Sequence, residues 1–216
     1  MLFDMDGVLV DSESIHEKAQ NIVCRQYELN VPKSVSPIFK GWTEKRVYEY
    51  IAENFGTGPA TVEELIKAKH ATYADLVDEL QMVPGALRLL QFVHSSGLPL
   101  GLVTSATKAD QERAFANFDL SPYFSSVVTV EDVTRPKPDS QPFLRGATQL
   151  GVSATECLVI EDSTYGILGA LRAGCHVFGI STTFSSQTLQ EAGAHAVYNS
   201  MEDIELQLKA VLTATA

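Results

Sequence analysis

Cys157-Leu158-Val159-Ile160-Glu161-Asp162 is a short apolar run closed by two acids. Its apolar residues do not alternate with polar ones, the pattern of a strand buried on both faces. The same pattern recurs. Leu98-Pro99-Leu100-Gly101-Leu102-Val103 ends in Thr104-Ser105, Val127-Val128-Thr129-Val130 ends in Glu131-Asp132, and His176-Val177-Phe178-Gly179-Ile180 ends in Ser181-Thr182. Amphipathic stretches lie between them: Ala86 to His94, Lys108 to Phe118, Pro142 to Leu150 and Gly166 to Ala173. Buried strands interleaved with helices predict an α/β core, a doubly wound parallel sheet of Rossmann-like type. Ligands of such sheets bind beyond the carboxyl ends of the strands, where each of these runs carries its polar residues.

The first run, Met1-Leu2-Phe3, is short for a buried central strand and leads into Asp4-Met5-Asp6-Gly7-Val8. Strand side chains two apart point the same way, about 7 Å along the chain, so Asp4 and Asp6 can converge. Carboxylates that close repel unless a cation lies between them or one is protonated. Gly7 allows a sharp turn just after them. Read alone, the stretch also suits a turn with two solvated aspartates. An EF-hand-type calcium loop needs an oxygen ligand at its fifth position and a Glu at its twelfth; Val8 and Ile15 stand there. A catalytic carboxylate pair with a metal is the reading the rest of the chain supports.

The chain has 216 residues, 45% of them hydrophobic, enough for a sizeable core and an inserted subdomain. A net charge of −11 argues against nucleic-acid or acidic-membrane partners. No apolar stretch approaches the roughly 18 residues of a membrane span, and no basic start precedes an apolar segment. Cys24, Cys157 and Cys175 are widely spaced in apolar surroundings and read as buried thiols of a reducing compartment. The cytoplasm and a monomeric state are the resulting expectations.

Ser14 to Tyr27, Thr43 to Phe55 and Thr61 to Leu80 carry helical periodicity without comparable strand signals. They predict an α-helical cap inserted after the first strand, with residues 13–80 as the cap and residues 1–12 and 81–216 as the core. Asp11 to Glu13 and Leu80 to Val83 are the expected hinge strands, and the tail from Leu212 is expected to fray.

The polar run-ends then collect at one edge: Asp4 and Asp6, Thr104 and Ser105, Glu161 and Asp162, with Lys137 in the proline-flanked loop Arg135-Pro136-Lys137-Pro138-Asp139. Singly, each has a plain explanation. Thr104-Ser105 suits a helix N-cap, Glu161-Asp162 a helix start, and Lys137 the surface. Together, carboxylates, hydroxyls and a lysine suit Mg²⁺-dependent transfer of a phosphoryl group, since oxygen ligands without His or Cys favour magnesium.

In their order, Asp4-Met5-Asp6-Gly7-Val8, Thr104-Ser105, Lys137-Pro138-Asp139 and Glu161-Asp162-Ser163 with Gly166 resemble the motifs of the haloacid dehalogenase superfamily. The resemblance spans essentially the whole chain and is to its helical-cap, β-phosphoglucomutase-like branch. It implies that Asp4 is the nucleophile that becomes an aspartyl phosphate, and Asp6 the general acid and then base. It further implies that Asp4, the Asp6 carbonyl and Asp162 hold Mg²⁺, with Glu161 a direct or water-mediated ligand. Thr104, Ser105 and Lys137 would bind the phosphoryl oxygens. Lys137, followed by Pro138 and Phe143, fits the family pattern better than Arg135.

Branches that cleave halides or phosphonates resemble this motif without the second aspartate, so Asp6 favours phosphate esters. In the cap, His16 matches a hinge histidine of β-phosphoglucomutase, Lys69 a substrate-facing lysine, and Lys40-Gly41-Trp42-Thr43 the specificity loop. Hinge packing, solvation and cap packing are the plainer readings of His16, Lys69 and Trp42. Glu44 stands where the mutase has a phosphate-binding arginine, which favours a phosphatase acting on a small phosphorylated metabolite, a sugar phosphate, over a mutase. A non-catalytic phospholigand-binding protein is a third reading, which the retained Asp4, Asp6 and Lys137 disfavour.

Overall fold

Leu2 and Phe3 form the central strand, β1 (Leu2–Phe3), and pair in parallel with Gly101-Leu102 on one side and Val159-Ile160 on the other. The computed structural model describes residues 1–39, 42 and 44–214. The other sheet strands are β4 (Gly101–Val103), β5 (Ser126–Val128), β6 (Leu158–Glu161), β7 (His176–Ile180) and β8 (Ala196–Tyr198). Their order is β5-β4-β1-β6-β7-β8, and every pairing is parallel. The chain builds outward from β1 to β5, then returns to β6 and builds the other way. The gap between β1 and β6 is therefore the point where the strand order reverses, the usual place for a ligand.

The helices of this unit are α4 (Ala86–Ser95), α5 (Lys108–Phe118), α6 (Gln141–Gln149), α7 (Thr164–Arg172), α8 (Ser186–Glu191) and α9 (Met201–Ala214). Thr107, Ser163 and Ser185 begin α5, α7 and α8 by accepting from the amides of Asp110, Gly166 and Thr188, which satisfies donors that a helix start leaves open. The core joins Leu2, Val103, Val128, Phe143, Val159, Ile167 and Val177, all fully buried. Truncating a ring such as Phe143 to Ala would cost about 3–5 kcal/mol.

Two compact units result, residues 1–11 with 81–216, and residues 12–80. The second contains α1 (Glu13–Gln26), α2 (Glu44–Phe55) and α3 (Val62–Asp75), packed around Val23, Tyr48, Ile51 and Leu65. A capping box between Thr61 and Glu64 starts α3. Among the described residues no helix is long and apolar enough to cross a membrane.

Several boundaries differ from the sequence expectation. The hinge strands are an antiparallel pair: β2 (Val10–Asp11) begins one residue before the expected stretch, and β3 (Gln81–Met82) lies within Leu80 to Val83. Ser12 belongs with the helical unit because its carbonyl accepts the His16 amide at 2.9 Å, and Glu13 suits the positive end of α1. The third helix stops at Asp75, and Val77–Glu79 is a separate 3₁₀ turn. Val130 leaves the strand because Asp132 closes a capping box on Thr129. The tail is helical as far as Ala214. Lys40, Gly41 and Thr43 of the expected specificity loop lie outside the described residues.

Candidate active site

Asp4 extends the β1–β6 ladder by one step, its amide donating to the Ile160 carbonyl at 3.1 Å. The chain then coils tightly. The Met5 carbonyl accepts from Val8, Leu9 and Val10 at 3.3, 2.8 and 3.0 Å, and Gly7 N–H donates to the Val10 carbonyl at 2.8 Å. Gly7 has φ +74°, and a Cβ there would fall 1.8 Å from Asp162 Oδ2. Only glycine permits both the turn and this approach. Asp4 is buried just before the coil and Asp6 is half-buried within it.

Lys137 reaches this point from the loop after β5. Its ammonium donates to Asp4 Oδ1 at 2.8 Å and to Glu161 Oε1 at 2.6 Å, and lies 5.2 Å from the centre of the Phe143 ring. Arg135 instead pairs with Asp139 at 3.3 Å and stays largely exposed. Glu161 also accepts from the amides of Asp162 and Ser163 and from the Ser163 hydroxyl, at 3.1, 3.1 and 2.9 Å. Asp162 accepts from the Thr183 hydroxyl, and Thr182 Oγ1 donates to the Gly7 carbonyl at 2.5 Å. The sequence marked the end of β7 as polar but gave Thr182 and Thr183 no role. The recurring run-end pattern was the signal for them.

Burial pushes Asp4 up to about 7; Lys137 opposes this, while Glu161 and Asp6 add to it. Burial, then the charges of Glu161 and Asp4, raises Asp162 well above the usual carboxylate range. For Lys137 burial acts to lower the value, but Asp4 and Glu161 outweigh it and keep the ammonium charged. One lysine among this many acids leaves an excess of negative charge. Oxygens of Asp4, Glu161 and Asp162 lie within 4.8 Å of one another. An all-oxygen, anionic donor set of this kind fits a hard divalent cation.

Thr104 and Ser105 follow β4, the neighbour of β1. Thr104 is buried, its amide on the Val128 carbonyl at 2.9 Å and its Oγ1 accepting from Ala106 N at 3.0 Å; Ser105 is exposed. The N-cap of α5 is Thr107, not this pair.

The cap candidates gather in the helical unit. Lys69 Nζ donates to His16 Nδ1 at 2.8 Å and is bonded to Glu44 Oε1, while His70 Nε2 meets Glu44 Oε2. His16 stacks on Tyr73 with ring centres 4.4 Å apart. Burial and then Lys69 push His16 down to about 3, so it is neutral near pH 7. Burial would raise Glu44, but His70 and Lys69 outweigh it and hold the carboxyl at about 2. Trp42 stands apart from this group, packed edge-on against Tyr50 at 5.6 Å and under the Arg46 guanidinium at 5.3 Å.

Residues 1–180 match the family described as haloacid dehalogenase-like hydrolase. A validoxylamine A 7'-phosphate phosphatase of Streptomyces hygroscopicus subsp. limoneus is 33% identical over 194 residues, covering 88% of this chain and 89% of that protein. Hexitol phosphatase A of Escherichia coli is 31% identical over 208 residues, covering 94% and 91%. Among solved structures, a candidate β-phosphoglucomutase of Thermotoga maritima superposes with a TM-score of 0.84 at 29% identity, covering 97% and 98%. The chain belongs to the haloacid dehalogenase-like hydrolase family, in the branch that resembles β-phosphoglucomutase.

Proposed function

We propose that the chain is a Mg²⁺-dependent phosphatase that hydrolyses a small phosphorylated metabolite, a sugar or polyol phosphate, through an aspartyl phosphate on Asp4. The observation that carries this reading is Asp4 buried at the order-reversal point of the sheet, with Lys137 at 2.8 Å. The relatives named for validoxylamine and hexitol phosphates support the substrate class.

A carboxylate oxygen of Asp4 attacks phosphorus as the bond to the ester oxygen breaks. Asp6, protonated at this stage, gives its proton to the departing alkoxide. Asp6 then takes a proton from water as the water oxygen attacks the aspartyl phosphate, the phosphorus–Asp4 bond breaks, and phosphate leaves. Lys137, Thr104 and Ser105 bind the phosphoryl oxygens, and Lys137 also screens Asp4 from Glu161. Asp4, Asp162 and the Asp6 carbonyl would hold Mg²⁺, which when bound supplies positive charge beside the transferring group. The helical unit serves as the cap that selects the substrate.

The likeness to a candidate β-phosphoglucomutase favours a second reading, return of the phosphoryl group to another sugar hydroxyl. Glu44 disfavours it, because a mutase must grip a second phosphate and this carboxylate binds Lys69. Purified protein with Mg²⁺ and a panel of hexose and hexitol phosphates separates the two. Phosphate release that stops on chelation supports the phosphatase. Isomerisation stimulated by a sugar bisphosphate, without net release, supports the mutase, and no turnover of any ester would sink both.

A further inference from the structure

We propose that Thr183, in the turn after β7, is a positioning residue for Asp162: its hydroxyl aims the carboxylate that follows β6 for a divalent cation. The inference rests on the metal-dependent phosphatase reading above and gives a task to a residue that the mechanism leaves unused. Asp162 is only 3% exposed, so the groups packed around its carboxylate, rather than water, set its orientation.

Three stretches of chain converge at Gly7. A Cβ there would fall 1.8 Å from Asp162 Oδ2, 2.6 Å from Asp162 Cγ and 2.7 Å from Thr183 Oγ1. β6 and β7 pair in parallel with Glu161 opposite Gly179, so Asp162 and the turn after Ile180 leave the sheet at the same edge. The Asp162 carboxylate accepts the Thr183 hydroxyl there. The adjacent Thr182 Oγ1 donates to the Gly7 carbonyl at 2.5 Å, and the Gly7 amide donates to the Val10 carbonyl at 2.8 Å. That amide shares its peptide group with the Asp6 carbonyl, the backbone ligand of the proposed site. One dipeptide thus holds Gly7 by its carbonyl through Thr182 and holds a carboxylate against its α-carbon through Thr183.

The kind of donor matters. Lys137 gives its ammonium to Asp4 and Glu161, whereas Asp162 meets a neutral hydroxyl. An ammonium on Asp162 would offset its charge and compete with a cation. A hydroxyl orients the carboxylate and leaves its negative charge in place, the usual arrangement for a group that supports a metal ligand. Threonine suits the task because its branched Cβ restricts χ1 and so fixes the direction of the donor.

The test compares Thr183→Val, which keeps the shape and removes the hydroxyl, with Thr183→Ser, which keeps the hydroxyl. Both are made in the full chain, with Mn²⁺ as the probe metal and electron paramagnetic resonance of free Mn²⁺ as the measure of affinity. Thr183→Val is expected to weaken Mn²⁺ about 10-fold and Thr183→Ser less than about 3-fold, on the scale by which neighbouring groups tune metal sites. The Mn²⁺ concentration that half-activates p-nitrophenyl phosphate turnover should rise by the same factors. In the metal-free protein at fixed pH, Thr183→Val should also shift the carboxyl ¹³C resonance of Asp162, and Thr183→Ser should largely restore it. Thr183→Val that binds Mn²⁺ as tightly as wild type, or Thr183→Ser that loses as much affinity as Thr183→Val, overturns the proposal. If Thr183→Val does not fold, Thr183→Ala carries the same comparison. Wild-type protein that binds no Mn²⁺ overturns the metal-dependent reading instead. The Asp162 resonance then still decides, because an unmoved signal in Thr183→Val means that the hydroxyl does not aim that carboxylate.

Discussion

Each unit of this protein buries one lysine against acids, and the two clusters are balanced differently. In the sheet unit, Lys137 lies between Asp4 and Glu161, with Asp162 beside them. In the helical unit, Lys69 lies between Glu44 and a neutral His16, and Glu44 also meets His70. The helical cluster satisfies itself, one acid against one buried base. The sheet cluster holds more negative charge than its lysine can offset, an arrangement that costs stability unless a cation or proton is shared. Surplus buried charge is the mark of a place built for chemistry, and a closed pair the mark of one built for shape or selection.

The comparison breaks most severely at Asp4. Asp4→Asn should reduce phosphate release by on the order of 10⁴-fold or more, as expected for removal of a covalent nucleophile. Substantial residual turnover in single-turnover assays would exclude Asp4 from that role. Asp6→Asn should cost about 10²–10⁴-fold, the range for proton transfer. Its loss should shrink for esters whose leaving group is a good phenolate, and equal losses for poor and good leaving groups would deny Asp6 its acid role.

In the helical unit the expected effects are on stability. Glu44→Leu leaves Lys69 buried without its acid and should cost about 2 kcal/mol, discounted because Glu44 is partly exposed. Adding Lys69→Met should recover much of that loss, and a double-mutant cycle by urea denaturation measures the coupling. Strict additivity would show that the pair contributes nothing.

The last effect is on pH. His16 falls from the ordinary 6.5 to about 3 in the folded chain, so the unfolded chain binds the proton more readily, and stability is lost as pH drops from about 6.5 toward 3. Glu44, lowered from 4.5 to about 2, favours folding above its unfolded value, and that contribution is lost as pH falls from about 4.5 toward 2. The protection of α1 and α3 amides against hydrogen exchange, expressed relative to the free amide at each pH, should therefore fall below about pH 6.5, and His16→Asn should flatten the upper part of that slope.

Much of the sheet was legible because buried parallel strands leave an unmistakable trace, apolar runs such as Leu158-Val159-Ile160 that end in polar residues. What escaped was short or locally ambiguous. Ala196-Val197-Tyr198 is too brief to stand out, yet it pairs with β7 as an edge strand. α8 and α9 escaped because no strand of comparable strength set them off as crossover helices. In the site, Asp4, Lys137, Glu161 and Asp162 were legible as residue types at strand ends and in a proline-flanked loop. Thr182 and Thr183 were marked only as a polar run-end, because a hydroxyl after a strand acquires a role only once its acceptor is known. Trp42 likewise could not be told from a ligand-facing ring, and the packing of Tyr50 and Arg46 around it exists only in three dimensions.

By itself the sequence determined the class of sheet, the edge at which polar residues collect and the helical insertion, because strand and helix periods are local properties of the chain. Tertiary structure alone decided the pairings. Asp4 and Lys137 stand 133 residues apart, and Glu44 and Lys69 stand 25 apart. Which acid receives which ammonium depends on how strands and helices bring distant residues together, and no spacing along the chain encodes it. The same holds for Glu161 and Asp162, neighbours in sequence that the end of β6 turns toward different partners.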